Sequence, residues 1–268
     1  MPYFTHAGHR LHYVALGEGR PVALVHGFTN AGLAWMHQMA ALAFSGYQVI
    51  VPDLRGHGLS GPATNKTTVA DLGGDLMALL DHLKIERVAV CGLSLGGMVA
   101  QQAALDHASR VDAIVVANSR ATFSTPELYA AVEGWTELFL QPQGPLKRFQ
   151  ATWPNMLAEA FRGSGAGKAT FENWCRLAAR ADGSSLINVA RGMREFDVRG
   201  RLGEIRQPAL VIAGGQDRLF PPAQAREVAD GIAGACYELI PEAAHISSLD
   251  SADRFNGLLL DFLEQNGQ

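Results

Sequence analysis

The stretch Arg87-Val88-Ala89-Val90-Cys91-Gly92-Leu93-Ser94-Leu95-Gly96-Gly97 decides how this chain is read. Its first half is a short, unbroken apolar run, the pattern of a strand buried on both faces. Its second half opens a segment, Leu95 to His107, whose apolar residues recur at three- and four-residue spacing, the pattern of a helix. Ser94 therefore stands on a strand-to-helix turn. The glycines around it fall where a side chain would collide with a neighbouring element. A serine hydroxyl is a weak nucleophile at neutral pH. Such a turn exposes its oxygen, and the helix start offers free N–H groups and a positive dipole end to a developing oxyanion. A phosphate-binding loop is the competing reading. It wants a glycine where Ser94 stands and an acidic residue closing the next strand about twenty residues on, and Asp112 fits that poorly.

Working outward, the same strand signature recurs at Pro21 to Val25, Gln48 to Asp53, Val111 to Asn118, Ala209 to Gly214 and Cys236 to Ile240. Helix-period stretches lie between them: Ala31 to Phe44, Val69 to His82, Pro222 to Ile232 and Ala252 to Glu264. Alternating strand and helix predicts an α/β chain, a mostly parallel, doubly wound sheet with right-handed crossovers. Two short strands at Tyr3 to Thr5 and Leu11 to Ala15, turning at Gly8, precede it.

One interval breaks the alternation. Residues 121–200 contain no buried strand, only helical patches rich in aromatics, among them Trp135, Phe139, Phe149, Trp153, Phe161, Phe171 and Trp174. Gly163-Ser164-Gly165-Ala166-Gly167 reads as a mobile linker within it. The expected organisation is a sheet core over residues 1–120 and 201–268, with a helical cap over 121–200. Most of the aromatics are expected to form the cap's own core. Trp135 and Trp153 are put forward as pocket residues.

Three further motifs end strands and complete a chemistry. After Val25 come His26-Gly27-Phe28: Gly27 permits a sharp turn, and the Phe28 N–H joins the Leu95 N–H as the expected oxyanion pair. The His26 ring is expected to be structural. Gly214-Gly215-Gln216-Asp217 closes a late strand, which sets Asp217 on the ligand-binding rim of such a sheet. His245, within Ala243-Ala244-His245-Ile246-Ser247, follows the last strand. A hydroxyl, a carboxylate and an imidazole in the chain order Ser94, Asp217, His245 suit nucleophilic acyl transfer. Asn118, Ser119 and Arg120 end a strand beside the nucleophile. Asn118 and Arg120 are expected to meet substrate, with Arg162, Arg176, Arg180, Arg191 and Arg194 as further cationic candidates.

Bulk properties agree with an enzyme. Of 268 residues, 48% are apolar and 18% charged, with a net charge of -4, so neither a disordered tail nor a nucleic-acid-binding surface is indicated. The three cysteines, Cys91, Cys175 and Cys236, have neither disulfide-framework nor zinc spacing and are expected to be buried free thiols. With no signal-peptide pattern and no apolar run long enough to span a membrane, a cytoplasmic location is the default expectation.

On these motifs the chain resembles the α/β-hydrolases over nearly its whole length. Asp53-Leu54-Arg55-Gly56-His57-Gly58-Leu59-Ser60 looks like that family's turn after its second parallel strand, where His57 is structural. Within the family it is most similar to 3-oxoadipate enol-lactone hydrolases, through Gly92 to Gly97, Leu210 to Gly214 with Asp217, and Ala243 to Ser248; His26-Gly27 is closer to general esterases. The resemblance implies an esterase or lactonase acting on a small ester or lactone through an acyl-enzyme. It implies no metal or organic cofactor, and no nucleic-acid or membrane partner. Carbon–carbon bond hydrolases and cofactor-free haloperoxidases share the serine, and a slow-turnover ligand receptor shares the fold. Aspartate-nucleophile dehalogenases and epoxide hydrolases do not fit Ser94.

Overall fold

The computed structural model describes residues 2–266. Eight strands form one sheet: β1 (Tyr3–His6), β2 (His9–Leu16), β3 (Arg20–Val25), β4 (Tyr47–Pro52), β5 (Val88–Leu93), β6 (Val111–Ala117), β7 (Ala209–Gly214) and β8 (Cys236–Ile240). Their order is β1-β2-β4-β3-β5-β6-β7-β8. The β1–β2 hairpin and the β2–β4 pair are antiparallel, and every later pairing is parallel. The doubly wound sheet expected from the alternating pattern is present.

Helices α1 (Met36–Phe44), α2 (Val69–Leu83) and α3 (Leu95–Asp106) follow β3, β4 and β5. Alternation along the central strands sorts side chains between two cores. Val88 and Val90 of β5 pack with α2 and α3, whereas Ala89, Cys91 and Leu93 face the opposite side. That is why these strands read as continuous apolar runs. Helix α2 starts at a capping box in which Thr68 and Asp71 satisfy each other's backbone N–H.

Between β6 and β7 the chain makes five helices: α4 (Pro126–Phe139), α5 (Gly144–Met156), α6 (Glu159–Gly163), α7 (Gly165–Ala178) and α8 (Gly183–Met193). They lie over the loops at the carboxyl ends of the strands. Trp135 of α4 stacks on Phe28 after β3, Ser185 of α8 accepts from Ala63 N after β4, and Met156 O accepts from Ile246 N after β8. Then come α9 (Pro222–Gly231), α10 (Ser247–Asp250) and α11 (Ala252–Gln265).

Three expectations are corrected. The Gly163–Gly167 stretch is no free linker: Ser164 Oγ accepts from Gly167 N and caps α7, and a Cβ on Gly167 would stand 2.0 Å from Phe161 O. Close packing, not looseness, explains that glycine. Strand β8 is not buried on both faces; it is the exposed edge of the sheet. Cys236 on that edge is exposed for the same reason; Cys175 on α7 is partly exposed and Cys91 is buried, and all three are free.

Candidate active site

Ser94 sits between β5 and α3 with φ 56° and ψ −114°, a left-handed conformation that costs a non-glycine residue about 1–3 kcal/mol. Its surroundings enforce it. Ser94 N donates to Ala117 O of β6 at 2.9 Å, and Ser119 Oγ donates to Ser94 O at 2.7 Å. A Cβ on Gly92 would stand 1.9 Å from Gly96 O, and one on Gly96 1.9 Å from Val25 O. The glycines of the motif are thus required by backbone-to-backbone contact.

The oxyanion candidates flank this turn. A Cβ on Gly27 would be 3.3 Å from Ser94 Cβ, so the chain entering Phe28 runs directly beside the serine. Leu95 is the first residue of α3, so its N–H has no partner within the helix. Neither Phe28 N nor Leu95 N donates to a backbone or side-chain acceptor among the described residues.

Asp217, in the loop after β7, is buried and held by four donors. Its Oδ1 accepts from Leu219 N (2.8 Å) and Phe220 N (2.9 Å); its Oδ2 accepts from His245 Nδ1 (2.8 Å) and Asn118 Nδ2 (3.0 Å). The His245 Nδ1–H is thereby committed to Asp217, leaving Nε2 to face outward as an acceptor. Phe220 packs edge-on against the imidazole, with ring centres 5.0 Å apart. Asn118 links this pair to Ser94, because it directly follows Ala117, the acceptor for Ser94 N. No direct Ser94–His245 hydrogen bond forms among the described residues. Asp250 braces the histidine loop: its Oδ2 accepts from Ala244 N (2.9 Å) and Ala158 N (2.8 Å). Burial pushes its carboxyl up to about 6, only partly offset by those two N–H groups.

The remaining expected residues separate. Asn118, expected to meet substrate, spends its amide on protein partners. It is 1% exposed, donates to Asp217 and to Ala244 O (3.0 Å), and accepts from Ser247 Oγ (2.5 Å). Its φ of 46° suits asparagine, which tolerates the left-handed region. Trp135 lies beside the oxyanion loop, stacked on Phe28 at 5.6 Å. Trp153 instead belongs to an aromatic cluster inside the inserted helices, with Phe149, Phe171 and Trp174. Arg120 is half-buried over the Phe220 ring, 4.9 Å from its centre. Arg194 pairs with Glu133, Arg162 donates to Leu157 O, Arg176 to Asn173, and Arg180 and Arg191 are exposed.

His26 donates from Nδ1 to Gly27 O (2.8 Å) and accepts Leu54 N at Nε2 (3.0 Å), so its ring is spent on the loop backbone. Burial holds both it and His57 in the neutral form, His57 down to about 3. Sequence reasoning missed Arg148. It lies on α5 with its Nε shut off from solvent and without an acceptor, surrounded by Trp135, Phe28 and Phe139.

This sheet, this strained serine and the bonded His245–Asp217 pair define a hydrolase of the α/β-hydrolase family, and the chain belongs to that family. Its family model, described as the alpha/beta hydrolase fold, matches residues 20–179. The chain is similar to the enol-lactonase of Burkholderia xenovorans LB400, whose crystal structure superposes with a TM-score of 0.90 at 30% identity, covering 98% of this chain and 100% of that one. It is 29% identical over 252 residues to 3-oxoadipate enol-lactonase 2 of Acinetobacter baylyi, covering 92% of this chain and 90% of the relative. It is also 31% identical over 257 residues to a Variovorax paradoxus protein named for carbamate hydrolysis, covering 94% and 96%. Among the described residues no helix is long and apolar enough to cross a membrane.

Proposed function

We propose that the protein hydrolyses a small carboxylic ester or lactone through an acyl-enzyme on Ser94. The reading is carried by the strained Ser94 turn, with two uncommitted N–H groups beside it. His245 Nε2 takes the Ser94 proton as the oxygen attacks the carbonyl. Asp217 holds the imidazole in the required tautomer and stabilises its positive form. The N–H groups of Phe28 and Leu95 receive the oxyanion, each contributing about 3 kcal/mol to the barrier reduction. Collapse expels an alkoxide or enolate, which takes the proton back from His245. Water, deprotonated by His245, then attacks the acyl carbon; the bond to Ser94 Oγ breaks, His245 returns the proton to that oxygen, and the acid is released. In a lactone the leaving oxygen stays tethered to the acyl chain.

The enol-lactonase relatives favour a lactone or activated ester as substrate. Residues 121–200 serve as the cap that closes over it, with Trp135 and Arg120 on its walls. The chemistry is complete with side chains and water, and it requires no metal or organic cofactor. A panel of p-nitrophenyl esters, an enol-lactone and an aryl carbamate ranks the substrates. Mass spectrometry after brief mixing with the best ester is expected to find the acyl group on the peptide carrying Ser94. An acyl group on any other residue, or rapid turnover with no serine dependence, refutes the mechanism.

A further inference from the structure

Among the described residues Arg148 has no counter-ion. Its Cζ stands 4.2 Å from the Trp135 ring centre, 5.4 Å from that of Phe28 and 5.7 Å from that of Phe139. This aromatic box accommodates the charge but offers the guanidinium no acceptor among the described residues. The Nε is shut off from solvent with no acceptor. Burial pushes the guanidinium down to about 10, and it stays charged at neutral pH. A partly buried charge left unpaired is destabilising, and proteins retain one chiefly where something else completes it. The other arginines of the inserted helices either have partners or face solvent. Arg120, which also has an unbonded Nε, feels the opposing charge of Glu227.

Position gives this cation a role. The ring of Phe28 faces Arg148, and the chain at Gly27–Phe28 runs beside Ser94. The guanidinium therefore lies across one side chain from the expected oxyanion pocket. Its planar fork matches a carboxylate in bidentate fashion.

We propose that Arg148 is the anion receptor of the substrate site, selecting esters or lactones that carry a free carboxylate beneath the inserted helices while their reacting carbonyl stands at Ser94. This rests on the serine-hydrolase reading above. The carboxylate supplies the acceptors that the aromatic box lacks, and the low-polarity surroundings strengthen the pairing.

The test compares mono-p-nitrophenyl glutarate with p-nitrophenyl valerate, a neutral ester of matched length, on wild type, Arg148→Met, Arg148→Lys and the exposed-site control Arg176→Met. Wild type is expected to prefer the anionic ester in kcat/KM. Arg148→Met should cut the anionic-to-neutral ratio roughly 10- to 150-fold, the range for a lost hydrogen-bonded charge. Arg148→Lys should restore part of the ratio, and Arg176→Met should leave it unchanged. Calorimetry of glutarate binding to the Ser94→Ala protein supplies a readout independent of turnover, with saturable binding lost on adding Arg148→Met. A merely structural Arg148 would lower both esters together, and that result overturns the proposal. So does an unchanged ratio, or glutarate binding that survives the substitution. If wild type hydrolyses neither ester, the serine-hydrolase reading fails, and glutarate calorimetry alone decides whether the anion receptor stands.

Discussion

Replacing Asn118 by aspartate changes one atom of the site and reverses its hydrogen bonding. The amide Nδ2 donates to Asp217 Oδ2 and Ala244 O, both at 3.0 Å. A carboxylate there would set an acceptor against each of them, in a position only 1% exposed. The bond to a charged carboxylate is worth about 1.5–3 kcal/mol and the bond to a neutral carbonyl about 1 kcal/mol, so Asn118→Asp should lose roughly 3 kcal/mol of stability. For a chain of this size that lowers Tm by roughly 6–12 °C. Asp217 would keep Leu219 N, Phe220 N and His245 but lose its lateral support. If that support is carried into the transition state, kcat/KM on a p-nitrophenyl ester should fall roughly 10- to 150-fold. Asn118→Gly tolerates the left-handed backbone and removes the same amide, so it should lose rate without the added repulsion. Differential scanning fluorimetry and steady-state kinetics read both effects. An Asn118→Asp protein that melts within a degree of wild type and keeps most of its turnover would refute the bracing role.

Further outcomes follow from single contacts. Gly96→Ala drives a methyl into Val25 O and should destabilise by about 3 kcal/mol and abolish most activity, whereas Gly74→Ala, with nothing within 4 Å, should raise stability by about 0.5–1 kcal/mol; urea titration of the pair checks the contrast. Asp250 holds its proton more readily folded than unfolded, so its contribution is fully favourable below about pH 4 and is lost as pH rises through about 6. Moving from 3.8 to about 6 is worth about 3 kcal/mol, so Asp250→Asn, which keeps an acceptor for Ala158 N and Ala244 N, should gain up to that amount at pH 8 and almost nothing at pH 4. An equal gain at both pH values in urea melts would contradict the cause assigned.

Much of the fold was legible because parallel strands covered on both faces leave uninterrupted apolar runs. Ala209 to Gly214 is a strand over just those residues, and Leu95 begins its helix at the glycine turn. Strand β8 shows the limit of that signal: Cys236 to Ile240 is apolar enough to read as buried, and only sheet order makes it an edge. Strand ends marked where Ser94, Asp217 and His245 would stand, since ligands of such a sheet collect at the carboxyl rim. They did not announce side-chain direction. Asn118 sits at the expected strand end, yet its amide turns toward Asp217. Arg148 was illegible for a different reason. In Gly144-Pro145-Leu146-Lys147-Arg148-Phe149 it reads as one more solvated cation, and its lack of a partner arises only when α4 and the Phe28 loop close around it.

The most direct test of the account is turnover of a p-nitrophenyl ester by Ser94→Ala protein, with circular dichroism matching wild type. The expected result is a fall of roughly four to six powers of ten in kcat. A folded Ser94→Ala protein that keeps near-normal turnover would show that the hydroxyl at the β5–α3 turn is not the nucleophile.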